Sequence, residues 1–304
     1  MSTTLPECWG HRGASAAFPE NTLASFEKAM RDGAEGIESD VHVSRDNVVL
    51  MFHDPDLRRT TNSSGKIKER DWYGPEGMEH VRTSKLPAQS IPTFAETVAL
   101  LMRPENMHVK FNVDVKANNE PEQLFKLLNG IISQQPDWET ALAPRILLGL
   151  WHPGFIAPAK KHLPYCRRSH IGANLSVSRK YFWADCHVFS VKFSILASAD
   201  GEKFREECKA AGKQILVWTV NRPEEMIEAA RWGVHSILTD VTKVWLDLRA
   251  LLQEDFDRNA SQYSRTFLWT TAEYYWPMRA LIKVGLNIYL QRLAGPFDVA
   301  VTAS

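Results

Sequence analysis

From residue 8 to about residue 250 the chain alternates short apolar, β-branched runs with longer segments whose apolar positions recur at helical spacing. Strands alternating with helices of crossover length are the pattern of a parallel sheet. Eight strands are predicted, at 8–11, 36–41, 109–115, 145–150, 170–175, 188–191, 214–219 and 236–239. Helices are predicted near 22–32, 93–102, 121–135, 153–162, 178–184, 201–211, 223–231 and 241–252. Eight repeats of strand then helix favour closure into an α/β (β/α)8 barrel, the TIM-barrel architecture, over an open sheet.

Local signals sharpen several boundaries. Thr93 with Glu96 three residues later reads as a capping box. Asn221-Arg222-Pro223-Glu224-Glu225 offers a capping candidate, a first-turn proline and early acids. After the second strand, Arg45-Asp46-Asn47 precedes an apolar run at 48–52, which is expected to fold back as a hairpin. The stretch 54–91 is rich in Gly, Pro, Ser and charge and is read as a small inserted lobe. Insertions at the carboxyl ends of barrel strands commonly cover an active site. The barrel pattern stops after about Phe256, so two parts are expected: a barrel at 1–257 and a C-terminal helical, apolar tail at 258–304.

Composition narrows the partners. With 304 residues the chain is long enough for one such barrel and a surplus, since roughly 250 residues is typical. The 36 Lys and Arg equal the 36 Asp and Glu, so the field that would gather nucleic acid is absent. No nucleic-acid partner is expected, and an anionic substrate must be held by local groups. Cys8, Cys166, Cys186 and Cys208 lack C-x-x-C spacing and read as reduced packing residues, which favours a reducing compartment. The first residues carry no basic segment and no apolar run, so a cleaved signal peptide is not expected, nor use of the sequons at Asn62, Asn174 and Asn259. No uncharged apolar stretch of about 18 residues suggests a membrane span.

The chemistry lies near the predicted strand ends. His11 ends the first strand, Glu38 and Asp40 lie on the second, and Asp114 with Lys116 lies near the end of the third. Residues two apart on a strand share a face, so Glu38 pairs with Asp40 and Asp114 with Lys116. Three inward carboxylates on neighbouring strands would repel one another unless a cation sits between them. The all-oxygen set selects one hard divalent ion, Mg²⁺ or Ca²⁺, over zinc. The hairpin returns His53 to the end of the second strand, so His11 and His53 are candidate proton carriers. Arg12 and Lys116 are candidate phosphate contacts, and Trp218 is a candidate wall of the substrate site, or else a packed core residue.

His11-Arg12-Gly13, Pro19-Glu20-Asn21-Thr22, Ile37-Glu38-Ser39-Asp40-Val41, Phe52-His53-Asp54, Val113-Asp114-Val115-Lys116, Val217-Trp218-Thr219-Val220-Asn221 and Thr239-Asp240 occur in order over about residues 8–245. In this the chain resembles the glycerophosphodiester phosphodiesterase family. The resemblance implies a TIM barrel and metal-dependent phosphodiester hydrolysis by His11 and His53, with Glu38, Asp40 and Asp114 as ligands. Many bacterial members carry glutamate where this chain has Asp114, so the third ligand is one methylene shorter, which leaves ion choice and water-mediated coordination open. Asp114, the Gly149-Leu150-Trp151 run and the apolar tail look most like fungal phosphatidylglycerol-specific phospholipases C. That likeness implies release of diacylglycerol and glycerol phosphate from a phospholipid such as phosphatidylglycerol. The alternatives are soluble glycerophosphodiesters, a lysophospholipid-specific D-type cleavage, and a silent barrel that binds lipid or a partner.

The tail bears on these alternatives. Between 278 and 293 the polar residues Arg279, Lys283, Asn287 and Gln291 form a narrow stripe on an otherwise apolar helix. Aromatic residues and a positive balance over 258–304 suit an anionic membrane surface; the competing reading is packing on the barrel or a dimer contact. Together these readings favour an intracellular, cytosol-facing enzyme held peripherally at a membrane, with oligomeric state open.

Overall fold

The computed structural model describes residues 4–298; positions 1–3 and 299–304, the outer ends of the two expected parts, lie outside the described residues. Among the described residues nine strands are formed: β1 Glu7–His11, β2 Gly36–Val43, β3 Val49–Met51, β4 Lys110–Val115, β5 Ile146–Leu150, β6 Arg167–Gly172, β7 Val188–Lys192, β8 Gln214–Trp218 and β9 Ser236–Thr239. Eight are parallel, and β1 pairs with both β2 and β9, which closes the barrel. β3 lies antiparallel on β2, with Met51 opposite Val41, as the expected hairpin requires.

Alternation along the strands separates two apolar layers. Cys8, Ile37, Phe111, Val113, Leu148, Phe189, Val217 and Ile237 face outward into the main core with the helices. Trp9, Leu147, Val188, Leu216 and Leu238 form a second cluster inside the barrel. This filled interior makes the barrel a packed support and not a pore. Two glycines make room for it: a Cβ on Gly36 would stand 2.5 Å from the Trp9 ring, and one on Gly149 would stand 2.4 Å from Ile171. Above this apolar floor the inward positions become polar, and there the register sets the chemistry. His11 lies opposite Glu38, and Asp40 lies opposite Asp114.

Most predicted elements are present, with two informative differences. The fifth barrel strand, β6, runs over Arg167–Gly172, earlier than 170–175, because Asn174 accepts from Ser176 N and caps the helical turn Leu175–Val177. Helical structure continues over Ser178–Phe182. Asn221 does not cap the helix Pro223–Arg231, whose first flanking residue is Arg222 without a side-chain cap; its side chain is committed to Thr239 and Asp240 instead. The Thr93–Glu96 capping box is formed.

The inserted lobe has a core of its own, built from Leu50, Phe52, Leu57, Ile67, Trp72, Met78, Val81 and Ile91. The tail packs on the barrel at both ends. Tyr274 is buried between Phe193 and Phe267, and its hydroxyl meets Glu225 and Arg222. At the other end His152 Nε2 lies 2.9 Å from Gly295 O, and the Phe297 ring packs at a tilt against His152 and Tyr181. The intervening helix Trp276–Ala294 therefore lies along the carboxyl-terminal rim, between the loops after β7 and β8 and those after β5 and β6.

Of that helix's polar stripe only Gln291 is exposed. Arg279, Lys283 and Asn287 are half-buried beside Ile282, Leu286 and Leu290. Leu281, Val284 and Ile288 are exposed by 68%, 58% and 47%. Among the described residues no helix is long and apolar enough to cross a membrane.

Candidate active site

Three buried carboxylates form the centre. Glu38 and Asp40 come from the inward face of β2 and Asp114 from β4, and each offers an oxygen within 4.8 Å of the others. Lys116 Nζ bridges two of them, 2.6 Å from Asp40 and 2.8 Å from Asp114. Arg12 adds a second cation, with its Nε 3.5 Å from Asp40 and its backbone N–H donating to Glu38 at 3.0 Å. Three acids against two bases leave the cluster one negative charge in excess.

The acids respond differently to this shared environment. Burial, then the Asp40 and Asp114 charges, push Glu38 well above the ordinary carboxylate range. Burial would also raise Asp40, but Lys116 and Arg12 outweigh it and hold Asp40 well below that range. Asp114 is raised by burial and by Asp40, against Lys116 and Trp151. A site where burial and neighbouring charge disfavour the ionised form of an acid fits a cation that the described residues only partly replace.

A further observation supports that fit. Asn112, fully buried on β4 beside Glu38 and two residues before Asp114, has neither side-chain polar atom partnered. A buried amide left without partners costs about 1–3 kcal/mol unless something added to the site satisfies it. The donor set is all oxygen, as a hard divalent ion requires. Glu38, Asp40 and Asp114 would hold that ion.

Both candidate histidines have Nδ1 tied to a carboxylate. His11 Nδ1 is 2.8 Å from Asp240 Oδ1. That carboxylate also accepts from Ser15 Oγ at 2.8 Å and Asn221 Nδ2 at 2.6 Å. Burial would raise Asp240, but its bonds to His11, Asn221 and Ser15 hold it down to about 2. His53 Nδ1 is 2.6 Å from Asp54, and burial lowers His53 despite Asp40 and Asp54. With Nδ1 engaged, Nε2 of each ring is the nitrogen left to take or give a proton.

His11, Arg12, Glu38, Asp40, His53, Asp114, Lys116 and Trp218 all line one cavity of about 100 Å³ at the carboxyl-terminal end of the barrel. Every residue singled out from the sequence is therefore brought together. Trp218 stands edge-on to Trp151 at 5.9 Å, and its buried indole N–H has no partner. Trp218 thus lines the cavity while also packing against the inner apolar cluster. A larger cavity of about 770 Å³ lies elsewhere, lined by residues such as Arg205, Lys213, Glu228 and Arg265. Glu228 there is already paired with Arg231 and Arg265, and the cavity contains neither candidate histidine, so volume is a poor guide to the chemistry.

Several contributors were not assigned roles from the sequence. Trp151 Nε1 donates to Asp114 at 2.6 Å. Asn21 Nδ2 donates to Asp40 at 2.8 Å while its Oδ1 accepts from Ser39. His42, buried and lowered by that burial to about 4, sits with Nε2 3.0 Å from His53 O. Asn21, Asp54 and Asp240 did fall inside recognisable motifs. Asn112 had only its inward phase with Asp114 to reveal it.

The glycerophosphoryl diester phosphodiesterase family model matches residues 11–244. A glycerophosphodiester phosphodiesterase of Caldanaerobacter subterraneus subsp. tengcongensis is 26% identical over 249 residues, covering 78% of this chain and 95% of that protein. Human glycerophosphodiester phosphodiesterase 1 is 32% identical over 122 residues, 38% of this chain and 36% of that one. Among solved structures, an Oleispira antarctica phosphodiesterase in complex with the product sn-glycerol-3-phosphate shares the fold with a TM-score of 0.66 at 22% identity, covering 80% and 96% of the two chains. A glycerophosphodiester phosphodiesterase described as putative, from Galdieria sulphuraria, does so with a TM-score of 0.69 at 17% identity, covering 82% and 100%. With the family's sequence pattern running across the barrel and both histidines, the chain belongs to the glycerophosphoryl diester phosphodiesterase family and is a phosphoric diester hydrolase.

Proposed function

We propose that the chain hydrolyses a glycerol-containing phosphodiester using one divalent cation, Mg²⁺ or Ca²⁺, at Glu38, Asp40 and Asp114, with His11 and His53 as the proton carriers. The observation that carries this reading is the pairing of two carboxylate-tethered histidines with a buried three-carboxylate cluster in one cavity. When bound, the ion offsets negative charge as it builds on the phosphate oxygens. Arg12 and Lys116 donate to the remaining phosphate oxygens. His53, kept neutral by burial, accepts the proton of the attacking oxygen, either water or the glycerol 2-hydroxyl. A phosphorus–oxygen bond forms to that oxygen, the bond to the departing oxygen breaks, and His11 returns a proton to the leaving alcohol. Attack by the 2-hydroxyl gives a cyclic phosphate that water then opens.

The substrate we favour is a phospholipid such as phosphatidylglycerol, cleaved to diacylglycerol and glycerol phosphate at a membrane surface. The outward apolar face of the rim helix and the exposed Trp269 and Trp276, 74% and 75% accessible, support this reading. Aromatic and aliphatic residues beside a catalytic mouth suit the interface of a bilayer. We take 1–257 as the catalytic barrel and 258–304 as its membrane-facing tail, in a cytosol-facing, peripherally bound enzyme. A second reading, hydrolysis of soluble glycerophosphodiesters to glycerol 3-phosphate and an alcohol, is favoured by the names of the relatives and by the product seen in the Oleispira protein. Incubation with a phospholipid panel and soluble diesters, with products identified by mass spectrometry, separates them. Diacylglycerol from phosphatidylglycerol is the expected product; turnover of soluble diesters alone would overturn the lipid reading.

A further inference from the structure

The two histidines are anchored in different parts of the molecule. Asp240, which holds His11, is itself held by Ser15 and Asn221 within the barrel. Asp54, which holds His53, is instead gripped by Arg59 of the inserted lobe, with Nε to Oδ2 at 2.5 Å and Nη2 to Oδ1 at 3.1 Å. The same guanidinium donates to both oxygens of Glu20, at 3.1 and 2.7 Å. Glu20 in turn accepts from Arg12 Nη1 at 3.0 Å, and Arg12 Nε faces Asp40. A continuous chain of charges thus runs from His53 through Asp54, Arg59, Glu20 and Arg12 to the carboxylate cluster.

Arg59 is well fixed for this task. It ends the turn Leu57–Arg59, whose first residue is fully buried in the lobe core. The Leu57 carbonyl accepts from Thr61 Oγ1 at 2.7 Å, and its N–H donates to Gly65. A planar fork holds two carboxylates through fixed, paired N–H donors, an orientation that a point-like ammonium bridging two acids, as Lys116 does, cannot fix. Without it, Asp54 and Glu20 would repel one another, and Asp54 would be free to turn away from His53 Nδ1.

We propose that Arg59 is a positioning residue that makes the inserted lobe part of the catalytic unit, orienting His53 through Asp54 and Arg12 through Glu20. The inference rests on the assignment of proton transfer to His53. It differs from simple fastening of the lobe, which Lys85 also provides through three backbone carbonyls, Ser15 O at 2.7 Å, Ala16 O at 2.9 Å and Phe18 O at 3.1 Å.

The test compares Arg59→Gln, Lys85→Gln, Asp54→Asn, the Arg59→Gln/Asp54→Asn pair and His53→Ala in the full chain on a soluble glycerophosphodiester. Arg59→Gln is expected to lower kcat at least about 10-fold with KM changed less than about threefold, the split expected when orientation and not substrate binding is lost. Lys85→Gln should lower kcat less than about threefold, and the double variant should lose much less than the product of the single losses, because both residues act on one ring. Retention of kcat in Arg59→Gln, an equal loss in Lys85→Gln, or multiplicative losses in the double variant would overturn the positioning role. Full activity in His53→Ala would instead overturn the proton-transfer reading beneath it.

Discussion

Replacing Asp240 by asparagine tests how His11 is held, and the bonds around it dictate the outcome. Asn221 uses its Oδ1 to accept from Thr239 Oγ1 and Asp240 N, so its Nδ2 is committed to donating toward residue 240. A carboxylate at 240 accepts from Asn221 on one oxygen and from His11 Nδ1 on the other. An asparagine has one acceptor, and whichever way it turns, an N–H meets either Asn221 or His11 Nδ1. The Asp240 carboxyl is held down from 3.8 to about 2, corresponding to roughly 2 kcal/mol of folding stability in favour of the paired carboxylate. Because that depressed value benefits the folded state above pH 3.8 and the benefit fades only as pH falls through about 2, the full loss is present at neutral pH. That loss is read as a lower denaturation midpoint; with His11 as the proton donor and no longer held, kcat on a soluble diester should also fall at least about 10-fold while KM stays within about threefold. Unchanged kcat would refute the orienting role. A loss beyond about a thousandfold would mean that His11 is the base, disabled by a proton fixed on Nε2.

Other expectations follow from the same geometry. Glu38 is raised by burial and its neighbours, so in metal-free protein it contributes less stability as pH rises above its ordinary 4.5, and binding a cation must release its proton. Calorimetry in buffers of different ionisation enthalpy should show proton release and affinity rising with pH; binding without proton release would contradict this. Trp151→Phe removes the 2.6 Å bond to Asp114 and should weaken metal affinity about 10-fold, read by isothermal titration; an unchanged Kd would assign the indole to packing alone. Replacing Leu281, Val284 and Ile288 together by serine should abolish co-sedimentation with anionic phosphatidylglycerol vesicles while soluble-diester turnover stays within about twofold, and undiminished vesicle binding would sink the role of this face.

The barrel was legible because its strands repeat a simple alternation whose inward positions carry the chemistry two residues apart. Glu38 with Asp40 and Asp114 with Lys116 are visible on that rule alone, and the hairpin that returns His53 follows from the turn before it. Partnerships across the closing seam were not visible, since Asp240 reaches His11 from 229 residues away. Arg59 was hidden for a related reason: its turn has no periodicity, and its value lies in two carboxylates that only the folded lobe brings together. Asn221 shows a local cap signal overridden by a tertiary bond. The tail helix shows the limit of amphipathic reasoning, because Arg279 and Lys283 are half-buried beside Ile282, Leu286 and Leu290 while Leu281, Val284 and Ile288 are left outside.

The central claim is that one divalent cation in the Glu38–Asp40–Asp114 cluster and the two histidines together hydrolyse a glycerophosphodiester. The most direct test is turnover of a soluble glycerophosphodiester after EDTA treatment and re-addition of Mg²⁺ or Ca²⁺, for the parent chain, Glu38→Gln, His11→Ala and His53→Ala, with metal binding measured in parallel. Chelation should abolish turnover and one of the two ions should restore it in the parent. Glu38→Gln should lose both metal binding and restoration, while the histidine variants should bind metal with kcat lowered by at least about a hundredfold. Turnover that survives chelation, or histidine variants that keep parental kcat, would contradict the account.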